Sequence, residues 1–247
     1  PLDSEHFSIH KLLQGINLSE IHKIYITASG GPFLNLPYSK FSKITYKQAL
    51  KHPKWSMGKK ISIDSATMMN KILELIEAKK LFNLDYSKFE IIIHPQSLIH
   101  AIVEFKSGIS KFLYHEPNMI IPITNAIFDT NIDIRKLINY KLKNNLPTEL
   151  NFIPVDKRRF PVINLIPILK KHKSTPIIIN AINEILVDQF INKKISFNSI
   201  NKYLFMVLKD KNYKKYAIQS ANKLKHIYKI DQWARNTTYK IINESNI

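Results

Sequence analysis

The stretch that decides the fold is residues 64–77, whose sequence is Asp64-Ser65-Ala66-Thr67-Met68-Met69-Asn70-Lys71-Ile72-Leu73-Glu74-Leu75-Ile76-Glu77. At about 100° per residue, one helix over this stretch has a polar side and an apolar side that would face a core. The polar side carries Asn70, Lys71, Glu74 and Glu77, and the apolar side carries Met68, Ile72, Leu75 and Ile76. We expect the helix to begin at Asp64-Ser65, where free N–H groups and the dipole favour an anion. The pattern suits a phosphate beside a metal ion, and the alternative is a capped surface helix with a Lys71/Glu74 pair.

Composition limits the classes of protein and of metal site. The 247 residues suffice for one large or two modest domains, and 45% of them are apolar, as in globular proteins. The sequence has no run of 18 uncharged apolar residues and no secretion signal, so we expect no membrane partner and a cytoplasmic location. Because there is no cysteine, metal ligands must be oxygen or imidazole, which favours magnesium or manganese over structural zinc.

The formal net charge of +18 raises the hypothesis of nucleic-acid binding, because lysines and arginines neutralise phosphates. The excess is mostly lysine and accompanies abundant isoleucine and asparagine, as AT-rich codon usage produces. The lysines are dispersed in pairs such as Lys59-Lys60 and Lys170-Lys171 rather than gathered in one basic block. We therefore expect no nucleic-acid partner and keep this class as an alternative.

Two segments place polar groups at the ends of predicted elements. Asp3 and Glu5 share one side of an extended segment, as in a hard-cation site, or else are merely acidic residues in the first turn of a helix. The spacing of the apolar residues Phe7, Ile9, Leu12 and Leu13 predicts such a helix, with Ser4 as its cap. Residues 21–27 predict a strand, and the Ser29-Gly30-Gly31 loop after it lets the backbone approach an anion, although such loops also occur without ligands.

Two large side chains admit both a structural and a functional interpretation. Trp55 lies on the loop 52–60, where it either packs as an anchor, which the sequence favours, or closes over a ligand. The residues next to His100 in the sequence are all apolar, which favours a core histidine over a ligand-binding one.

The spacing of apolar residues predicts an α+β fold. Strands are predicted at 21–27 and 89–93, a hairpin at 98–105 and 109–114, a strand-like segment at 150–154, and helices at 45–51, 122–128, 161–171, 176–190, 198–209, 216–228 and 231–243. We therefore predict an α/β catalytic domain with a mixed sheet at 1–128, a polar linker with a short strand at 129–158, and a small C-terminal helical bundle at 159–247.

Five motifs occur in a characteristic order. They are Asp3-Ser4-Glu5, Ser29-Gly30-Gly31-Pro32-Phe33, His52-Pro53-Lys54-Trp55-Ser56-Met57-Gly58, the stretch from Asp64 to Glu74, and His94-Pro95-Gln96-Ser97-Leu98-Ile99-His100. Their order and spacing resemble the 1-deoxy-D-xylulose 5-phosphate reductoisomerase family of isoprenoid biosynthesis. The resemblance is specific over residues 1–119 and continues more thinly through Asn180-Ala181-Ile182-Asn183-Glu184.

The resemblance implies a set of roles for matching residues. It implies rearrangement of 1-deoxy-D-xylulose 5-phosphate, a phosphorylated ketose, and its reduction by NADPH to 2-C-methyl-D-erythritol 4-phosphate. Asp3, Glu5 and Glu74 would hold Mg²⁺ or Mn²⁺ and, with His52, form the catalytic set. Substrate would contact Ser4, Ser29, His52, Trp55, Ser65, Asn70 and Lys71, while Met57, Gly58, Pro117 and Met119 would lie near the nicotinamide. The resemblance also implies a homodimer in the bacterial cytoplasm rather than the plastid stroma.

The sequence departs from the family pattern in three places. Ile72 replaces the usual glycine, and His115-Glu116-Pro117-Asn118-Met119 replaces Gly-x-Pro-Asp-Met beside the nicotinamide. The five glycines contain no G-x-G-x-x-G fingerprint. We therefore expect a piece that lacks the N-terminal dinucleotide-binding domain and does not turn over alone. A non-catalytic metal- and phosphosugar-binding fragment remains the alternative.

Overall fold

A computed structural model describes residues 1–128, 133, 134, 136, 147 and 149–245. The chain divides into two compact units. The sheet unit comprises Pro1–Gly30, Pro53–Trp55 and Glu77–Val155, and the helical unit comprises Gly31–His52, Ser56–Ile76 and Asp156–Ile247. Among the described residues, no helix combines the length and apolar character needed to cross a membrane.

The described elements follow one another along the chain as helices and strands. They are α1 (Ser4–Leu13), β1 (Ile21–Ala28), α2 (Tyr46–Ala49), α3 (Lys59–Thr67), α4 (Met69–Leu81), β2 (Phe89–Ile93), β3 (Ile99–Phe105), β4 (Ser110–Tyr114), α5 (Ile120–Phe128), β5 (Ile153–Pro154), α6 (Ile166–Leu169), α7 (Thr175–Ile191), α8 (Phe197–Leu208), α9 (Tyr213–Ala217) and α10 (Leu224–Ser245).

A mixed five-stranded sheet forms the centre of the sheet unit, in the order β4-β3-β1-β2-β5. β1 and β2 are parallel, and the other neighbouring pairs are antiparallel. Buried β-branched side chains such as Ile24, Ile26 and Val103 make the core, as expected for strands with one packed face. The predicted strands, hairpin and α+β class are confirmed.

Helix α1 packs against β3 and β4 of this sheet. It buries Phe7 and Ile9, as its predicted apolar spacing requires. The predicted cap is wrong: Asp3 rather than Ser4 caps the helix, because its Oδ1 accepts hydrogen bonds from the N–H groups of Glu5 and His6.

The helical unit is built around α7, which packs against α3, α8 and α10. Its buried residues include Ile178, Ile182 and Leu186, spaced for one helical face. The predicted helices at 216–228 and 231–243 are divided differently: the chain leaves α9 at Ala217 and α10 then continues from Leu224 to Ser245. No proline or glycine separates the two predicted helices, so nothing ends α10 at the expected place.

The predicted domain boundaries do not coincide with those of the two units. Residues 31–52 and 56–76, expected in the catalytic domain, belong to the helical unit. Most of the predicted linker lies outside the described residues, and its described end contains β5. The division into catalytic domain, linker and C-terminal domain stays a prediction.

The single helix predicted over 64–77 is wrong. α3 ends at Thr67, Met68 has a left-handed φ of 67°, and α4 begins at Met69. Ser65 therefore lies in the last turn of α3, not at a helix N-terminus. The nearest helix start is that of α4, which carries Asn70 and Lys71 in its first turn. The apolar side is confirmed at Met68, Ile72 and Leu75, which are buried.

Candidate functional site

The residues predicted to form the site divide between the units. The sheet unit holds Asp3, Ser4, Glu5, Ser29, Trp55, Pro117 and Met119, and the helical unit holds His52, Met57, Gly58, Ser65, Asn70, Lys71 and Glu74. Each group is described within its own unit.

The helical unit contains a buried polar cluster at the start of α4. The Lys71 ammonium lies 2.9 and 2.8 Å from the two carboxylate oxygens of Glu74, and the Asn70 amide also donates to Glu74. Lys71 is only 8% exposed and Glu74 only 5%. This is not the solvated surface pair of the alternative interpretation, because removing both charges from water needs compensation by close pairing.

His52 lies within the electrostatic range of this cluster. Burial, and secondly the positive charge of Lys71, lower the pKa of His52 to about 4. The imidazole is therefore neutral at pH 7, with one nitrogen able to donate and the other to accept a hydrogen bond. A neutral donor beside a lysine can contribute to an anion site without adding a second buried cation.

The end of α3 is held in place by contacts within the helical unit. A Cβ on Gly31, whose φ is +64°, would lie 3.0 Å from the Ser65 carbonyl oxygen. The preceding residue in the helix, Asp64, is buried and accepts hydrogen bonds of 2.7 Å from Asn183 and from the Lys60 ammonium. Burial raises the pKa of Asp64, and these two partners oppose that rise. These contacts fix the turn that carries Ser65.

The sheet unit presents two acidic residues at the start of α1. Ser4 donates a hydrogen bond to Glu5, and Asp3 caps the helix. The buried His6 ring lies behind them, with its Nδ1 3.5 Å from Asp3 and 3.8 Å from Glu77. Glu77, which was placed on the polar side of the predicted helix, therefore contacts His6.

Loops of the sheet unit carry the other predicted residues. Ser29 follows β1 directly and precedes Gly30, whose φ of +82° is a left-handed conformation that glycine adopts readily; the predicted approach of this loop to an anion stays a prediction. Trp55 is half-buried and its ring meets that of His100 at 6.3 Å, edge to face. His100 is buried, as its interpretation as a core residue expects, and its contact with Trp55 was not predicted.

The four residues expected near the nicotinamide lie on connecting segments. Gly58 is the N-cap residue of α3, with Met57 before it; Pro117 and Met119 precede α5. Asn118 replaces the family aspartate, yet its Oδ1 still accepts a hydrogen bond of 3.0 Å from the Ile120 N–H. The substitution thus keeps an acceptor at the start of α5.

Sequence reasoning missed four residues that support the predicted ones. His6, Asp64, His115 and Asn183 are all buried polar residues with specific neighbours. Asp64, His115 and Asn183 lie in quoted segments, but no role was predicted for them, and the 119-residue separation of Asp64 from Asn183 gives no local signal that they meet.

Comparison with known proteins identifies the family. A model of the 1-deoxy-D-xylulose 5-phosphate reductoisomerase C-terminal domain matches residues 1–82, and one of the DXP reductoisomerase C-terminal domain matches residues 115–237. The chain belongs to the 1-deoxy-D-xylulose 5-phosphate reductoisomerase family. The resemblance seen in the sequence motifs is thereby confirmed.

Individual reductoisomerases extend this match over almost the whole chain. The 1-deoxy-D-xylulose 5-phosphate reductoisomerase of Pelagibacter ubique is 48% identical over 237 residues, covering 94% of this chain and 60% of the relative. A crystal structure of DOX-P reductoisomerase in complex with NADPH, fosmidomycin and magnesium has a TM-score of 0.86 at 32% identity, covering 98% of this chain and 63% of that one.

A second solved structure gives the same family and the same partial coverage. The Zymomonas mobilis reductoisomerase in complex with NADPH has a TM-score of 0.80 at 35% identity, covering 98% of this chain and 61% of that one. The chain thus spans about 60% of the length of the curated relatives it matches.

Proposed function

We propose that this chain supplies the metal- and substrate-binding part of a reductoisomerase that converts 1-deoxy-D-xylulose 5-phosphate to 2-C-methyl-D-erythritol 4-phosphate with NADPH and a divalent metal. The observation that carries the proposal is the buried cluster of Asn70, Lys71 and Glu74 on α4. Burying a lysine and a glutamate costs free energy that only their close pairing offsets, and apolar side chains would fill the same space without that cost, so we take the buried pair as the mark of a functional site.

The metal is assigned to Asp3, Glu5 and Glu74. Three carboxylates are the hard oxygen donors that Mg²⁺ and Mn²⁺ prefer, and the chain has no cysteine to compete for a softer ion. Magnesium is present in the similar DOX-P reductoisomerase structure. A cation there supplies Lewis-acid stabilisation of negative charge on the ketose oxygens.

The substrate phosphate is assigned to Ser29, Ser65, Asn70 and Lys71, with His52 as a neutral donor. In this structure Glu74 neutralises Lys71. If Glu74 turns to a cation, Lys71 keeps its charge and loses its partner, so its attraction for a phosphate dianion rises. Metal and phosphate binding would then favour each other through the same pair of side chains.

The remaining predicted contacts orient the substrate and exclude water. Ser4 is assigned to the polar carbons of the ketose and Trp55 to the loop that closes over it, where lower water content strengthens the surrounding charges. Met57, Gly58, Pro117 and Met119 are assigned to the nicotinamide of NADPH, which is bound in two similar structures.

We also assign a homodimer in the bacterial cytoplasm. Apolar residues are exposed on β4, just before it and on α5, with Ile109 60% and Ile127 65% exposed and Phe112 and Phe128 about half exposed. An apolar surface of this kind favours burial against a partner, and a second copy is the partner assigned here. The relatives are bacterial enzymes, which supports the bacterial location.

Calorimetry with fosmidomycin, the ligand of one similar structure, tests the site on the 247-residue chain. We expect binding with Mg²⁺ and none after chelation. Lys71→Ala should weaken it roughly 10- to 100-fold, since a charged hydrogen bond contributes about 1.5–3 kcal/mol.

Lys80→Ala, on the exposed side of the same helix, is the matched control and should bind as the unaltered chain does. Metal-independent binding, or equal losses in the Lys71 and Lys80 variants, would contradict the assignment.

A further inference from the structure

Four rings of the sheet unit form a continuous column. Phe7 on α1 meets His115 edge to face at 6.5 Å, His115 stacks on His100 at 3.8 Å with a 13° angle, and His100 meets Trp55 at 6.3 Å. Phe7, His100 and His115 are buried, whereas Trp55 is half-buried on its loop. The column therefore links the helix that carries Asp3 and Glu5 to the loop that carries Trp55.

The backbone of the β3–β4 hairpin fixes the two histidines face to face. The strand register shifts between Ile99 and Ala101, so His100 lies at an irregularity of the type that redirects a side chain. The His115 N–H donates to the Leu98 carbonyl at 3.0 Å. The His115 carbonyl oxygen lies 3.2 Å from His100 Nε2, and since a carbonyl can only accept, this nitrogen is the donor.

The His115 ring is also fixed by its own hydrogen bond. Its Nδ1 lies 2.7 Å from the Glu116 carbonyl oxygen and therefore donates to it, while its buried Nε2 has no hydrogen-bond partner. Burying the unpaired Nε2 acceptor costs free energy. Only the packing of the His115 ring against its neighbours offsets that cost. The contribution of His115 thus lies in its ring face.

We infer that His115, the residue that stands where the family pattern has glycine, is a positioning residue that holds Trp55 against the sheet unit through the His100 ring. Without the His115 ring, His100 loses the flat surface on which it stacks on the side facing α1. The His100 ring that Trp55 contacts is then no longer held in one position. The inference deepens the proposed function, because it rests on Trp55 belonging to the loop that closes over substrate.

Tryptophan fluorescence without any ligand tests the inference separately from that function. The chain has two tryptophans, and Trp233 stacks on Tyr216 at 4.5 Å in the helical unit. In a Trp233→Phe background, Trp55 is the only tryptophan reporter. His115→Gly should raise its acrylamide quenching constant roughly threefold and shift its emission to the red, as expected for losing one ring contact.

Three further variants separate ring support from general loosening. His115→Phe keeps a ring and should leave the quenching of Trp55 unchanged. His115→Asn keeps a donor for the Glu116 carbonyl but has no ring, so it should behave like glycine, and it replaces the glycine variant if that does not fold. In a Trp55→Phe background, His115→Gly should leave Trp233 unaffected.

Four results would each overturn the inference. They are unchanged quenching of Trp55 in the folded variants without a ring, equal shifts for the phenylalanine and asparagine variants, a concurrent shift at Trp233, and failure of both the glycine and the asparagine variants to fold. Because no substrate or metal is added, failure of the proposed function leaves this test intact.

Discussion

Removing either Lys71 or Glu74 should destabilise the protein, because each side chain compensates the buried charge of the other. Both are buried and their charged atoms lie 2.8–2.9 Å apart. Removing one partner leaves the other charge buried without compensation, which typically costs about 3–5 kcal/mol. Asn70 still donates to Glu74, so we expect Lys71→Met to cost about 3 kcal/mol, at the lower end of that range.

A double-mutant cycle measures the interaction free energy between Lys71 and Glu74. Glu74→Leu alone leaves the ammonium buried and should cost a similar amount, whereas Lys71→Met with Glu74→Leu replaces the pair by apolar side chains of similar volume. Such replacements are often neutral, so the double variant should lie within about 1 kcal/mol of the unaltered chain. Urea unfolding followed by circular dichroism at pH 7 gives the three free energies.

The cycle can refute the reasoning in two ways. Single substitutions that cost less than about 0.5 kcal/mol would show that the pair is solvated, as exposed pairs are. A double variant whose loss equals the sum of the single losses would show that the two charges do not compensate each other.

Two further predictions concern Gly31 and His52. Gly31→Ala should destabilise the chain by about 2 kcal/mol, combining left-handed strain with the close approach to the Ser65 carbonyl. Gly15→Ala, with a φ of +71° and open space around it, should cost only the strain, and equal losses in urea unfolding would contradict the packing argument. Because His52 has a pKa of about 4 in the folded chain and an ordinary pKa of 6.5, the unfolded chain binds more protons between these values, so stability should fall as pH falls through that window. His52→Gln should lose this part of the pH dependence, and an unchanged slope between pH 6.5 and 4 would contradict it.

Much of the fold could be predicted because its local signals agree. The β-branched run at 21–27, the hairpin about Ser107-Gly108 and the apolar spacing of α7 each specify one element from nearby residues alone. The division between α9 and α10 could not be predicted. It falls at residues 218–223, Ile-Gln-Ser-Ala-Asn-Lys, which contain neither proline nor glycine, so packing within the helical unit decides it.

The candidate site was predictable as a set of residues and not as a set of contacts. Motif order named Glu74 and Lys71 as candidates but did not indicate that both side chains are buried. The stack of His100 and His115 required the register of β3 with β4, and the hydrogen bond from Asn183 to Asp64 joins two helices. Contacts between residues so far apart leave no periodic pattern in the sequence from which they could be predicted.

The break at Met68 is the clearest case of packing overriding local preference. A left-handed residue other than glycine costs about 1–2 kcal/mol, so the sequence contains no reason to end a helix there. Met68 is nevertheless 2% exposed, and burying a methionine side chain contributes about 1.5–3 kcal/mol. Glycine would relieve the strain but would lose that burial and leave a cavity, so methionine is the more stable choice. The break it permits gives α4 its own start and places Asn70 and Lys71 in the first turn, where an anion is favoured.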